Sequence, residues 1–71
     1  MKKYKVFLTK SHKMAATLAH AFNPGENEVE QVCYGGCDET VPAVYKNQGY
    51  YMCCVTYSEN ARVEPYELII G

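Results

Sequence analysis

Only one stretch of this 71-residue chain carries a helical pattern, and that limits its architecture more than any other feature. From His12 to Phe22 the apolar residues Met14, Ala15, Leu18, Ala21 and Phe22 fall at i, i+1, i+4, i+7 and i+8, which is one face of a helix. Ser11 stands where an N-cap belongs. Asn23-Pro24-Gly25 ends the helix, because proline cannot continue it and glycine takes the turn that follows. A lone helix must bury its apolar face against a sheet.

The remaining segments have strand character. Lys3 to Thr9 alternates, with Tyr4, Val6 and Leu8 opposed to Lys3, Lys5, Phe7 and Thr9. Glu28 to Tyr34 alternates and is ended by Gly35-Gly36. Val41 to Tyr45 and Tyr50 to Tyr57 flank Lys46-Asn47-Gln48-Gly49, a connection of hairpin type. Pro42 cannot donate a ladder bond, so the Val41–Tyr45 strand belongs at an edge or begins after the proline. Ser58-Glu59-Asn60 turns the chain into a last strand from Arg62 to Ile70.

The sequence therefore predicts one small α+β domain over residues 1–71, in the order β-α-β-β-β-β, with one helix packed on a mostly antiparallel sheet. One helix covers one face of such a sheet. The other face is open unless the sheet curls or a partner supplies a lid, and it is the first candidate for binding. A core of this size supplies only about 3–5 kcal/mol, so association bears on stability, and a homodimer completed at a bare face or edge strand is an open alternative.

Hydrophobic residues make up 48% of the chain and charged residues 21%, which is the composition of a folded domain and not of a disordered one. No apolar run approaches the ~20 residues of a membrane span, and the lysine-flanked start lacks the apolar core of a secretory signal. A cytoplasmic protein without membrane contact is expected. The net charge of −1 conceals an asymmetry: Lys2, Lys3, Lys5, Lys10 and Lys13 precede every acid, and the rest of the chain holds only Lys46 and Arg62 against all eight acids. Either the lysine-bearing first strand pairs with glutamate-bearing strands, or the surface is bipolar and offers its two signs to different partners.

Four cysteines raise the question of chemistry. Cys33-Tyr-Gly-Gly-Cys37 and Cys53-Cys54 supply enough thiolates for a zinc site, but the C-x3-C spacing is unlike the usual pairs, and adjacent strand residues point to opposite faces. A Cys33–Cys37 disulfide across a Gly-Gly turn is a second alternative, disfavoured where thiols are kept reduced. Burial as small hydrophobes is the plainest role for Cys53 and Cys54. His12 and His20 lie on the helix side away from Leu18, and no motif equips either as a base for a cysteine nucleophile. That side, His12-Ala16-His20, is short in bulk and suits close approach by another chain. The acids form no acid–base pair or calcium loop, and no Gly-rich phosphate loop occurs.

Seven tyrosines are many for this length, and the tyrosine ring with its polar hydroxyl suits protein interfaces. The expected function is a non-enzymatic protein-binding module with no catalytic residue and no cofactor. It would act by steric occlusion of a partner protein, with Tyr50, Tyr51, Tyr57 and Tyr66 as anchors and the surface lysines Lys3, Lys5, Lys10 and Lys13 contributing to the contact. Its size fits a phage or mobile-element inhibitor of a host enzyme or defence complex, although no residue carries that assignment. The alternatives are a nucleic-acid-binding protein using the lysine-rich start, and a small zinc-binding protein using Cys33, Cys37, Cys53 and Cys54.

Overall fold

The computed structural model describes all residues 1–71. Strand β1 (Lys3–Thr9) leads into helix α1 (His12–His20), followed by β2 (Val29–Gly36), a single helical turn α2 (Ala43–Lys46), β3 (Tyr51–Tyr57) and β4 (Tyr66–Ile70). The strands form one sheet in the order β2-β3-β1-β4. β3 lies antiparallel to both β1 and β2, whereas β4 runs parallel to β1. The class is α+β, and the sheet is mostly antiparallel.

The helix begins where its cap dictates. The Ser11 side chain accepts a hydrogen bond from Met14 N, at 3.2 Å, and relieves one of the free amides of the first turn. The helix closes at His20, two residues short of Phe22, with Ala21 as its C-cap. The turn after it is tight: Gly25 has φ 92°, and Asn27 and Glu28 follow at 51° and 66°. A positive φ at Glu28 is costly for a side-chain-bearing residue. Its carboxylate accepts from Arg62 N at 3.1 Å and its carbonyl from Ser58 N at 2.9 Å, and these bonds tie the turn to the start of the β3–β4 connection.

Two small cores result, one on each face of the sheet. Under α1, the buried residues Ala19, Val29, Cys53, Val55, Tyr57 and Ala61 pack with Phe7, Leu18 and Phe22. On the opposite face Val6, Leu8, Met52 and Cys54 pack against Val41, which is only 2% exposed. The face expected to be open is therefore partly closed by the chain itself. The segment between β2 and β3 folds back across it, driving in Val41 and laying Tyr45 and Tyr50 at the margin of the core.

That fold-back corrects the expectation of a Val41–Tyr45 strand. β3 already has β1 on one side and β2 on the other, so no ladder position remains for a hairpin partner. Pro42 has no amide to offer a ladder, and with φ −56° it instead caps the short turn α2, in which Tyr45 N donates to the Pro42 carbonyl at 3.0 Å. The order is consequently β-α-β-α-β-β. Lys46–Gly49 forms the exit from that turn, with Gly49 at φ 78°. Two strand bounds also shift. Gly35-Gly36 belongs to β2, paired with Met52 and Tyr51, and β4 starts at Tyr66 because its ladder with β1 begins there, opposite Tyr4.

Leu8 and Val44 make a direct test of this packing, since Leu8 is 1% exposed and Val44, on the outer side of α2, is 65% exposed. Leu8→Ala is expected to cost about 2–5 kcal/mol in urea unfolding, a large share of the stability of so small a domain. Val44→Ala is expected to stay within about 0.5 kcal/mol of the parent.

Candidate functional site

Strand alternation and helix periodicity together sort the tyrosines. On the α1 face the cross-strand register sets Tyr34 against Cys53, and Tyr51 stands two residues before Cys53 on the same side of β3. Both rings emerge beside the helix, where they meet His12 and His20, one turn above and one turn below Ala16. The His12 ring lies 5.2 Å from Tyr51, edge-on, and 5.8 Å from Tyr34, while His20 is 6.2 Å from Tyr34. These spacings are those of favourable aromatic pairs. Tyr34 is 44% exposed and Tyr51 36%, so a braced pair of tyrosines faces solvent. Beside them a shallow groove of about 320 Å³ runs between the end of α1 and β2, lined by Ala19, His20, Phe22, Pro24, Val32 and Tyr34.

The other expected anchors are placed differently. Tyr57 is 5% exposed and belongs to the core under α1, and Ala61 and Val63 of the β3–β4 connection pack in the same cluster, so it is a core residue and not a surface anchor. Tyr50 is half-buried, edge-on to Tyr45 at 6.1 Å, with Lys10 Nζ 4.0 Å above its ring. Tyr66 is exposed on the far face and donates from its hydroxyl to the Thr40 carbonyl at 2.9 Å. Tyr34 was not singled out from the sequence; its place beside Tyr51 and the two histidines depends on the β2–β3 register.

The lysines are largely spent within the fold. Lys2 pairs with Glu30, Lys5 with Glu67 at 3.6 Å across the β1–β4 ladder, and the N-terminal amine with Glu59 at 3.1 Å. Lys3 donates to the Ala61 carbonyl at 2.7 Å and Lys10 to the Gln48 carbonyl. Lys13, exposed on the solvent side of α1, is the one N-terminal lysine whose side chain makes no such contact. Of the five N-terminal lysines, two thus pair with glutamates of β2 and β4 and two with carbonyls. These exposed pairs add little stability individually.

The cysteines divide between the faces. Cys53 lies under α1, fully buried, while Cys33, Cys37 and Cys54 belong to the opposite face. Four thiolates cannot converge from two sides of a sheet, and no three side chains of His, Cys, Asp and Glu come together to hold a metal. Cys33 and Cys37 are likewise free thiols held apart: β2 stays extended from Cys33 through Gly36, about 10 Å at ~3.3 Å per residue, and the Cys37 S–H turns to the Tyr50 carbonyl at 3.4 Å. Burial pushes the Cys53 thiol up to about 11, with the neighbouring thiols Cys54 and Cys33 adding to it, and burial also raises Cys54. Both are held as neutral thiols, the form that does not act as a nucleophile.

On that opposite face a cavity of about 410 Å³ opens between β2 and the fold-back segment, with Cys33, Cys54, Gln31, Asp38, Thr40 and Thr56 among its walls. The Asp38 carboxylate accepts from Thr40 N at 2.8 Å and from the Thr40 hydroxyl, and that same hydroxyl lies 3.9 Å from Cys54 Sγ. Comparison with protein-family models, curated proteins and solved structures finds no significant match to this chain.

The raised thiols carry a pH dependence. Between about 9, the ordinary value, and about 11 the unfolded chain has lost the Cys53 proton and the folded chain retains it. Stability therefore falls as pH rises through that interval. The Tyr66 hydroxyl, raised mainly by burial, and Lys2, raised mainly by its bond to Glu30, shift in the same direction. Urea midpoints measured from pH 8 upward are expected to decline, and Cys53→Ala is expected to flatten part of the decline.

Proposed function

We propose that this chain is a non-catalytic protein-binding module that acts by covering part of its partner's surface, and that the Tyr34–Tyr51 side of the molecule is its contact face. The observation that carries this reading is the exposed tyrosine pair braced by His12 and His20. Aromatic rings already held by neighbours lose little rotamer freedom when a partner covers them, so more of the burial energy appears as affinity. Ala16 lies between the histidines and has no long side chain to keep a second surface away. The adjoining shallow groove, lined in part by Ala19, Phe22, Pro24 and Val32, offers a partly apolar slot beside the exposed rings for a partner's side chain.

The neutral, buried thiols and the absence of an activated nucleophile beside the histidine rings support a role in binding over one in catalysis. Internal engagement of Lys2, Lys3, Lys5 and Lys10 likewise favours a protein partner over a phosphate backbone, which is held by free cations.

A tagged chain used as bait in cell extract, with and without nuclease treatment, tests the reading. Tyr34→Ala and Tyr51→Ala are each expected to weaken capture of the bound protein by about 2 kcal/mol or more while leaving the far-ultraviolet circular dichroism unchanged. Lys13→Ala is expected to bind like the parent. Capture that depends on Lys13, weakens steeply with salt and disappears on nuclease treatment would overturn it in favour of nucleic acid.

A further inference from the structure

Cys33 on β2 and Cys54 on β3 are direct cross-strand partners. They lie on the same face of the sheet, in one packed cluster, and both line the 410 Å³ cavity that opens to solvent there. Directly opposed residues of antiparallel strands have Cα atoms about 4.5–5.5 Å apart, within the roughly 4.4–6.8 Å spanned by disulfides. No other pair of the four cysteines meets these conditions. Cys37 lies just past the end of β2 and donates its S–H to the Tyr50 carbonyl at 3.4 Å, and Cys53 lies under the helix. The adjacent Cys53 and Cys54 point to opposite sides of β3.

We infer that Cys33 and Cys54 form a reversible modification site, closing to a cross-strand disulfide when a small-molecule disulfide enters the cavity. Cys33 is the less buried member and takes the first step. Its thiolate attacks one sulfur of the reagent, the reagent's S–S bond breaks, and one thiolate leaves. Cys54, after giving its proton to solvent, attacks the Cys33 sulfur of the mixed disulfide and expels the second thiolate. Two protein thiols are oxidised by two electrons, the reagent is reduced by two, and the two protons end on the departing thiols. Because burial raises the Cys54 thiol, the second step is the slow one and quickens as pH rises.

Closure also has a local reader. The Cys54 sulfur now sits beside the Thr40 hydroxyl, which holds the Asp38 carboxylate, and the Thr40 carbonyl holds the Tyr66 hydroxyl. Bonding to Cys33 removes the Cys54 S–H and draws the sulfur toward β2. The bond therefore bears on the Asp38–Thr40 wall of the cavity as well as on β2–β3 pairing. It lies on the sheet face opposite the Tyr34–Tyr51 side, so its test is independent of the proposed contact.

Incubation of the folded chain with glutathione disulfide, followed by denaturation and thiol titration, is the experiment. The parent is expected to fall from four free thiols to two, to lose the mass of two hydrogens, and to yield a Cys33–Cys54 cross-linked peptide. Cys54→Ser is expected to stop at the mixed disulfide on Cys33, gaining one glutathionyl group. Cys33→Ser is expected to remain unmodified at Cys54, whereas Cys37→Ser still cross-links. Circular dichroism of each variant separates a lost reaction from a lost fold. Cross-links to Cys37 or Cys53 in the folded parent would overturn the inference. So would four thiols that persist under conditions that oxidise the urea-unfolded chain.

Discussion

The run Met52-Cys53-Cys54-Val55 is buried on both faces of the sheet, and the rest of the molecule is arranged to satisfy it. A strand in that position needs a neighbour on each edge to take its main-chain polar groups and an apolar layer above and below. β1 and β2 supply the edges, and α1 supplies one layer. The only other helical piece is the single turn α2, so the 37–50 connection that contains it provides the other layer, with Val41 as the inserted side chain. Loss of the expected hairpin and partial closure of the expected open face are two results of one requirement.

The same requirement decides what is left at the surface. Tyr51 and Tyr57 stand at opposite ends of β3 and on the same side of it, yet their fates differ because of what covers each end. Ala61 and Val63 pack around the core that contains Tyr57, whereas at the helix start Tyr51 meets the His12 ring. The braced tyrosine pair is thus a consequence of a helix just long enough to cover one end of the central strand. On the other face the fold-back segment leaves a gap over β2, and into that gap come Cys33, Cys54 and the Asp38–Thr40 turn.

Much of the framework was legible from local pattern. The bounds of β1, the Ser11 cap, the helix start and the location of β3 all follow from interactions between residues a few positions apart, which the sequence displays directly. Val41–Tyr45 was misread because valine and tyrosine favour strands on any local count, and only the completed pairing of β3 shows that no edge was available to them. Tyr57 was misplaced for a similar reason: alternation identifies which side of a strand a residue occupies, and says nothing of whether that side is roofed.

By itself, then, the sequence determined an α+β domain with one core-covering helix, its cap and breaker positions, and a central strand whose residues alternate between two faces, because each of these rests on short-range sterics and hydrogen bonding. Only the tertiary structure decided the β2-β3-β1-β4 order, the parallel β4, the fold-back over the second face, and the placing of Cys33 directly opposite Cys54. Those outcomes depend on which distant segments can share an edge or fill a layer. That choice is made by burial and loop closure across the whole chain, and no window of neighbouring residues contains it.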